Sequence, residues 1–407
     1  LATMPDKPKG ATWAEPATVV DKMTFRVDGG GYLPSGSQQV FVVPAHGGTP
    51  RQMTSGDFPI SSAVTWSPDS QSVIFSSNRR DDAEYHPRQS DLFAAALLTG
   101  QITQITDTAG PEGRPVVSPN GRYLAYTQTA DIRQGYNGAK LTIRDLRTSE
   151  SRSLTTDFDR SVSDIQWSQD SKSLWISYTD LGMVRVAKID LRGKLRQSDI
   201  VVGGTAIGRP YTSGSFSVGG KGRLAYTLGR DDRPADVALL RPGKTPLKLT
   251  DLNGDLMGQR QMTRAERITW PSSHDAMMIE GWVMKPPGFD PAKTYPMILE
   301  IHGGPHSAYG PNYSTEAQLF AAAGYVVLYT NPRGSTSYGE QFANEIDLAY
   351  PGFDYDDLIS GVDALIDQGY VDPEQLFVTG GSGGGVLTAW IVGKTDRFRA
   401  AVVAKPV

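Results

Sequence analysis

The chain has 407 residues, of which 39% are hydrophobic and 21% charged, a composition typical of a folded globular protein with more than one domain. The 40 Lys and Arg residues nearly balance the 44 Asp and Glu residues, so charge gives no reason to expect nucleic acid or an anionic membrane as a partner. No apolar run reaches the length of about 18 residues that suggests a membrane span. The absence of cysteine excludes disulfides, thiolate metal sites and a cysteine nucleophile, but it does not determine the compartment.

The first 250 residues contain a pattern that repeats about every 50 residues. The repeats begin at Trp66, Val117, Trp167 and Phe216, and each combines a turn with a β-run of branched and aromatic residues. A period of this length, with several short strands in each unit, is typical of β-propeller blades. We therefore predict a β-propeller, incomplete or small, of about four blades plus a remnant. A stack of β-sandwich strands is the alternative.

A polar stretch at residues 251–264 has no clear period and predicts a linker. We place the propeller repeats in residues 1–255 and a second domain in residues 256–407. In the second domain, apolar runs at 296–301, 325–329 and 376–379 predict parallel strands that are covered on both faces. Helical spacing at 315–323, 357–368 and 386–392 alternates with these runs and predicts a doubly wound α/β sheet.

Ser382 is the candidate nucleophile. It is the middle residue of the sequence Gly-Gly-Ser-Gly-Gly at 380–384, which lies between a predicted strand and a predicted helix. A Gly-x-Ser-x-Gly turn in that context is the nucleophile elbow of α/β-hydrolases, in which Gly380 and Gly384 avoid a clash that side chains would cause. A phosphate-binding glycine loop is the alternative, but the Gly-Lys-Ser/Thr ending and the Gly-x-Gly-x-x-Gly pattern of such loops are absent.

The sequence His-Gly-Gly-Pro at 302–305 follows the first predicted strand of the second domain. In α/β-hydrolases a loop at this point supplies one of the two backbone N–H groups that bind the oxyanion, and we predict Gly304 and Gly383 as the donors. A plain turn is the alternative. His302 and His306 have the i, i+4 spacing of metal ligands, but the glycines and proline between them are incompatible with a helix. We therefore expect no metal and no cofactor.

A serine nucleophile needs a general base, and the five histidines of this sequence all precede Ser382. The order along an α/β-hydrolase chain is serine, then the acid, then histidine. We therefore expect the acid and the histidine of a triad to lie beyond Val407.

Several motifs of the second domain resemble the prolyl oligopeptidase family of serine peptidases, especially its acylaminoacyl-peptidase and bacterial dipeptidyl-aminopeptidase branches. They are Gly-Trp-Val-Met-Lys-Pro-Pro-Gly-Phe at 281–289, His-Gly-Gly-Pro at 302–305 and Asn-Pro-Arg-Gly-Ser-Thr-Ser-Tyr-Gly at 331–339. Members of this family combine a β-propeller with an α/β-hydrolase domain. The resemblance implies that Ser382 is the nucleophile and that Gly304 and Gly383 are the oxyanion donors. Gly383 departs from the family, which commonly has an aromatic residue there.

The resemblance also implies a serine peptidase that forms an acyl-enzyme with short peptides, a propeller that restricts access, and further blades before residue 1. An esterase or amidase of another α/β-hydrolase branch is one alternative, and a non-catalytic propeller that serves as a binding module is another. Short peptides are the expected partners, with no nucleic acid and no membrane, and a homo-oligomer is left open. The peptide specificity is undetermined, and the bacterial members suggest the periplasm.

Overall fold

The structure is a computed structural model that describes residues 7–14, 17, 19–27, 30–34 and 36–406. It divides into two compact units. The first contains the described residues up to Asp131 together with Leu141–Arg152, and the second contains Ile132–Lys140 and the residues from Ser153 onward. None of the helices in these ranges combines the length and the apolar character that crossing a membrane requires.

The first unit is made of short β-strands. Two pairs of very short antiparallel strands come first, β1 (Arg26–Val27) with β2 (Gly31–Tyr32) and β3 (Phe41–Val42) with β4 (Arg51–Gln52). A four-stranded antiparallel sheet follows, with β5 (Thr65–Trp66), β6 (Ser72–Ser77), β7 (Asp91–Ala96) and β8 (Ile102–Gln104). A second four-stranded sheet contains β9 (Glu112–Val117), β10 (Tyr123–Gln128), β11 (Lys140–Asp145) and β12 (Ser151–Ser153).

The second unit begins with two more four-stranded sheets, both antiparallel. One contains β13 (Val162–Trp167), β14 (Ser173–Asp180), β15 (Met183–Asp190) and β16 (Leu195–Val202). The other contains β17 (Phe216–Gly219), β18 (Arg223–Arg230), β19 (Arg233–Leu240) and β20 (Leu247–Lys248). The four sequence repeats thus correspond to four sheets of four strands each, which is the strand number of a propeller blade.

The recurring Ser-Pro-Asp and Ser-Pro-Asn sequences of the repeats form the turn between the first and second strands of a sheet. In the first sheet, Ser67 Oγ lies 2.6 Å from an Asp69 carboxylate oxygen, which also accepts the Gln71 N–H at 3.0 Å. In the second sheet, Ser118 Oγ lies 2.7 Å from the side-chain oxygen of Asn120. A short polar side chain that satisfies nearby backbone groups stabilises such a turn, which explains why the same residue types recur.

A six-stranded mixed sheet forms the rest of the second unit. Its strands, in spatial order, are β21 (Ala265–Pro271), β22 (Met278–Met284), β24 (Val326–Asn331), β23 (Tyr295–Ile301), β25 (Val371–Gly381) and β26 (Phe398–Ala404). The last four run parallel to one another, as the apolar runs predicted. The sheet is not parallel throughout, because β22 is antiparallel to both β21 and β24. The prediction of a doubly wound sheet therefore missed one strand, β22, that runs antiparallel to the others.

Helices cover both faces of this sheet. The α-helices of the second unit are α1 (Gly254–Met257), α2 (Thr315–Ala322), α3 (Glu340–Asn344), α4 (Asp354–Ile366) and α5 (Gly383–Lys394). On one face, α4 packs on β21 and β25, and α5 packs on β25 and β26, with Leu358, Leu365 and Ile391 in the buried core. On the other face, α2 packs on β22 and β24 through Ala317 and Ala321. Each large apolar side chain that is fully buried in this way contributes about 2 kcal/mol of hydrophobic stabilisation.

Several element boundaries differ from the sequence prediction. The linker predicted at 251–264 contains the short helix α1. The helix predicted to begin at 357 begins at Asp354, and Asp354, Asp356 and Asp357 occupy its first turn. Acidic residues in the first turn interact favourably with the positive end of a helix dipole. The apolar spacing alone misses this turn because its residues are mostly acidic.

Candidate active site

Ser382 lies at the junction between the strand β25 and the helix α5, with φ 55° and ψ −121°. A positive φ is rare for a residue with a side chain and costs of the order of 1–3 kcal/mol. Both peptide groups of Ser382 are held in place: its N–H donates to the Ala404 carbonyl of β26 at 3.0 Å, and its carbonyl accepts the Val386 N–H at 3.0 Å. The predicted strand, sharp turn and helix are therefore present, and the serine has the strained backbone of a nucleophile elbow.

The two outer glycines of the elbow lie where a side chain would overlap with backbone atoms. A Cβ on Gly384 would lie 2.7 Å from the His302 carbonyl oxygen and 2.9 Å from the Ile301 carbonyl carbon. A Cβ on Gly380 would lie 2.5 Å from the Gly384 carbonyl carbon and 2.9 Å from Thr388 Oγ1. The elbow is therefore packed directly on the end of β23, and the loop that follows β23 lies beside Ser382.

That loop brings the two predicted oxyanion donors together. A Cβ on Gly383 would lie 3.2 Å from both the nitrogen and the carbonyl carbon of Gly304, and a Cβ on Gly303 would lie 3.2 Å from Ser382 Cβ. In the described part of the chain, neither the Gly304 N–H nor the Gly383 N–H donates a hydrogen bond to a protein acceptor. The structure thus places two unpaired backbone donors close to the serine, which is the arrangement that oxyanion binding requires.

The two histidines of this loop make contacts away from Ser382. His302 is buried, with Nδ1 2.8 Å from the Gly303 carbonyl oxygen and Nε2 2.9 Å from Ser335 Oγ. Burial lowers the pKa of His302 to about 4, so its imidazole is neutral at pH 7. His306 Nδ1 lies 3.1 Å from the Gly334 carbonyl oxygen. Within the described ranges, no group of three or more His, Cys, Asp and Glu side chains could hold a metal ion.

Three polar side chains beside the elbow were not predicted from the sequence. The Tyr350 hydroxyl donates to the Gly383 carbonyl at 2.6 Å. Tyr211 and Arg209 come from the long loop between β16 and β17. The Tyr211 hydroxyl accepts the Gly303 N–H at 2.8 Å. Arg209 lies against Gly381, where an added Cβ would be 2.9 Å from Arg209 Nη1. No local sequence pattern indicates these residues, because each is far along the chain from the glycine that it contacts.

Arg209 belongs to a partly buried charge cluster with two glutamates. Its Nε lies 2.7 Å from a Glu316 carboxylate oxygen and 3.3 Å from Glu300 Oε1. Glu300 is fully buried on β23, and its Oε1 also accepts the Tyr309 hydroxyl at 3.1 Å. Burial, together with the nearby Glu316 carboxylate, raises the pKa of Glu300 to about 7, although Arg209 favours the charged form. Glu300 therefore titrates close to neutral pH, two residues before the His-Gly-Gly-Pro sequence at 302–305, here called the oxyanion loop.

Arg333, in the Asn-Pro-Arg-Gly motif, fixes a second loop at the same edge of the sheet. Its guanidinium is buried and donates to both Asp357 carboxylate oxygens, at 2.8 and 2.9 Å, and to Asp275 at 3.0 Å. A guanidinium that binds a carboxylate through two parallel hydrogen bonds is held in one orientation. Arg333 thus ties the loop after β24 to the first turn of α4, and Ser335 in the same loop contacts His302.

Sequence models of two families match parts of the chain. The prolyl oligopeptidase family matches residues 311–407, and the N-terminal region of dipeptidyl peptidase IV matches residues 31–129. The two matches fall in the region of the six-stranded sheet and in the region of the four-stranded sheets, respectively.

Curated relatives and solved structures are similar over most of the chain. The uncharacterized peptidase YuxL of Bacillus subtilis is 31% identical over 91% of this chain and 69% of its own length. Dipeptidyl-peptidase 5 of Porphyromonas gingivalis is 28% identical over 84% of this chain and 49% of its own length. The acylaminoacyl peptidase of Pyrococcus horikoshii aligns with a TM-score of 0.79 at 22% identity, over 96% of this chain and 59% of that chain.

A puromycin-hydrolyzing peptidase of Mycobacterium tuberculosis aligns with a TM-score of 0.66 at 18% identity, over 91% of this chain and 65% of that chain. The likeness to the solved structures shows a shared fold. The chain spans between about half and two thirds of the length of these proteins. The chain is 31% identical to a peptidase over nine tenths of the chain's own length, and the family model matches the region that contains Ser382. The chain therefore belongs to the prolyl oligopeptidase family.

Proposed function

We propose that this chain carries the nucleophile and the oxyanion hole of a serine peptidase that cleaves short peptides. The observation that carries the proposal is the arrangement around Ser382, which has a strained backbone at a strand–helix junction and lies beside the unpaired N–H groups of Gly304 and Gly383. The names of the relatives, peptidase YuxL and dipeptidyl-peptidase 5, agree with this chemistry.

In the proposed reaction, Ser382 Oγ attacks the carbonyl carbon of the scissile peptide bond while its proton passes to a general base. The carbonyl oxygen becomes an oxyanion between the N–H groups of Gly304 and Gly383, each of which contributes about 3 kcal/mol to transition-state stabilisation. The C–N bond then breaks as the base returns the proton to the departing amine. Water hydrolyses the resulting ester by the same route and regenerates Ser382.

The general base is not among the histidines close to the elbow. His302 and His306 are both engaged with groups other than Ser382, and the buried imidazole of His302 has its pKa lowered to about 4. A base that works near neutral pH needs a pKa close to that pH. We therefore propose that a histidine and its acidic partner outside these 407 residues complete the triad.

We also propose that the four-stranded sheets, assigned to residues 1–255, belong to a propeller that limits substrates to short peptides, with the hydrolase domain in residues 256–407. If this is right, the full-length protein cleaves a free oligopeptide but leaves a folded protein that contains the same cleavage sequence intact. A small-molecule esterase has no need for such a filter. A panel of peptide amides with free or acylated amino ends, together with a 4-nitrophenyl ester, separates the two peptidase specificities from an esterase.

The decisive experiment is labelling of the full-length protein with a fluorophosphonate probe, which reacts with an activated serine. We expect labelling and peptide hydrolysis in the wild type, loss of both in Ser382→Ala, and no change in Ser273→Ala, in which an exposed serine is removed. Labelling that survives in Ser382→Ala would place the nucleophile elsewhere. A wild-type protein that neither labels nor cleaves would instead support a non-catalytic binding module.

A further inference from the structure

Residues 207–212, here called the docking segment, lie in the loop between β16 and β17 and pack along the chain that follows the oxyanion loop. Tyr211 forms an isolated antiparallel bridge with Tyr309. On either side of this bridge, the Thr212 N–H donates to the Ala308 carbonyl at 3.0 Å, and the Gly310 N–H donates to the Pro210 carbonyl at 2.9 Å. The docking segment therefore has a fixed register against residues 308–310, which begin three residues after the His-Gly-Gly-Pro sequence.

The side chain of Tyr211 reaches from this segment to the oxyanion loop. Its ring contacts the buried ring of Tyr309 edge-on, with a centroid distance of 4.8 Å, and its hydroxyl accepts the Gly303 N–H at 2.8 Å. A Cβ on Gly303 would lie 3.3 Å from the Tyr211 hydroxyl and 3.2 Å from Ser382 Cβ. The phenol, the Gly303 peptide and the candidate nucleophile thus belong to one cluster.

An ion pair holds the docking segment near its middle. Arg209 donates to both carboxylate oxygens of Glu316, at 2.7 and 3.2 Å, and Glu316 lies in the first turn of α2. Paired hydrogen bonds of this kind fix orientation as well as distance. The docking segment is therefore anchored both to α2 and to the chain between the oxyanion loop and α2.

The oxyanion loop needs such an external support. It contains two consecutive glycines, and Gly304 has φ 134°. Glycine populates many backbone conformations, so the residue type does not by itself fix this one. A glycine pair has little rigidity of its own, whereas an oxyanion donor must be held within a fraction of an ångström of its position. The backbone N–H of Gly303 is the group through which Tyr211 restrains the peptide that precedes the Gly304 donor.

We propose that Tyr211 is a positioning residue for catalysis: its hydroxyl holds the Gly303 peptide so that the Gly304 N–H faces the oxyanion. This inference rests on the proposed serine peptidase function. Tyr211 acts through Gly303 and Gly304, so its removal should weaken binding of the transition state while leaving binding of the substrate nearly unchanged. The specific signature is a lower kcat with an unaltered KM.

The test is Tyr211→Phe in the full-length protein, because phenylalanine keeps the ring contact with Tyr309 and removes the hydroxyl. Removal of a whole oxyanion donor lowers kcat by about 100- to 1,000-fold, so a donor that loses its support should lower kcat by about 10- to 100-fold. KM should stay within about twofold of the wild type. The second-order rate of fluorophosphonate labelling should fall by the same factor as kcat, because that reaction uses the same oxyanion hole.

Two further variants separate positioning from folding. Tyr226→Phe removes a buried tyrosine hydroxyl from β18 and should leave kcat, KM and labelling unchanged. Glu316→Gln weakens the anchor of Arg209 and should lower kcat by a smaller factor than Tyr211→Phe, again without a change in KM. If Tyr211→Phe is too unstable to assay, Glu316→Gln tests the same inference through the same segment.

The outcomes distinguish the two proposals. A folded Tyr211→Phe variant with wild-type kcat and labelling rate would overturn the positioning role of Tyr211 and leave the proposed function intact. A raised KM with an unchanged kcat would also overturn it, because that result indicates direct contact with substrate. A wild-type protein that neither labels nor cleaves peptides would overturn the proposed function and this inference together.

Discussion

Gly384 offers the sharpest test of the elbow, because the change from glycine to alanine adds one carbon atom at a known place. In Gly384→Ala the new Cβ would lie 2.9 Å from the Ile301 carbonyl carbon and 2.7 Å from the His302 carbonyl oxygen. Carbon atoms in contact prefer a separation of about 3.5–4.0 Å, so the gap to the Ile301 carbonyl carbon must widen by at least about 0.6 Å, and the Ile301 carbonyl oxygen lies closer still to the new Cβ. Both neighbours are backbone atoms at the end of β23, and neither can rotate away as a side chain could.

The widening moves the loop that carries Gly304 away from Ser382. A displacement of this size at a catalytic site lowers the rate by about 100-fold. Overpacking of a close-packed site also lowers the free energy of unfolding by about 1–3 kcal/mol. We therefore expect Gly384→Ala to lose about two orders of magnitude in kcat/KM for a peptide substrate. Steady-state kinetics and urea unfolding of the full-length protein measure the two effects.

Gly393 is the matched control on the same helix, α5. A Cβ on Gly393 meets no atom within 4 Å, so Gly393→Ala should leave activity unchanged and stabilise the helix by about 0.5–1 kcal/mol. The reasoning is refuted if Gly384→Ala keeps wild-type kcat/KM and wild-type stability, since the elbow would then not pack on β23. Equal losses in the two variants would show that the loss in Gly384→Ala does not come from contact with β23.

Two further predictions concern buried charge. Arg333→Met leaves the buried Asp357 carboxylate without its guanidinium partner and should lower the free energy of unfolding by about 3–5 kcal/mol, measured by urea titration. Arg397→Met, at a more exposed ion pair, should lower it by less than about 1 kcal/mol. Equal losses of stability in the two variants would contradict the importance of burial. Burial raises the pKa of Glu300 from 4.5 to about 7, so between these pH values the folded state binds a proton that the unfolded chain has lost, and the contribution of Glu300 to wild-type stability falls as pH rises. The amide in Glu300→Gln does not titrate, so the stability of this variant relative to wild type should increase from pH 4.5 to pH 7. A difference in stability that does not change with pH would contradict the raised pKa of Glu300.

Local sequence patterns predicted the elements whose causes are local. The Ser-Pro-Asp and Ser-Pro-Asn turns marked two of the four sheets because the polar side chain and the backbone groups that it binds lie within a few residues of each other. The apolar stripe of α4 and the glycine-rich junction at Ser382 are of the same kind. A helix stripe depends on spacings of three and four residues, and an elbow depends on the five residues 380–384.

The tertiary structure alone decided which distant residues meet at the elbow. Tyr211 and Gly303 are separated by 92 positions and Arg209 and Glu316 by 107, and nothing in either local sequence indicates the partner. The antiparallel direction of β22 was missed for a related reason, since strand direction follows from how the chain returns to the sheet. The sequence by itself therefore determined the candidate nucleophile and its turn. The surroundings that position the oxyanion loop arise only when the chain folds, because they depend on contacts between segments that sequence periodicity does not relate.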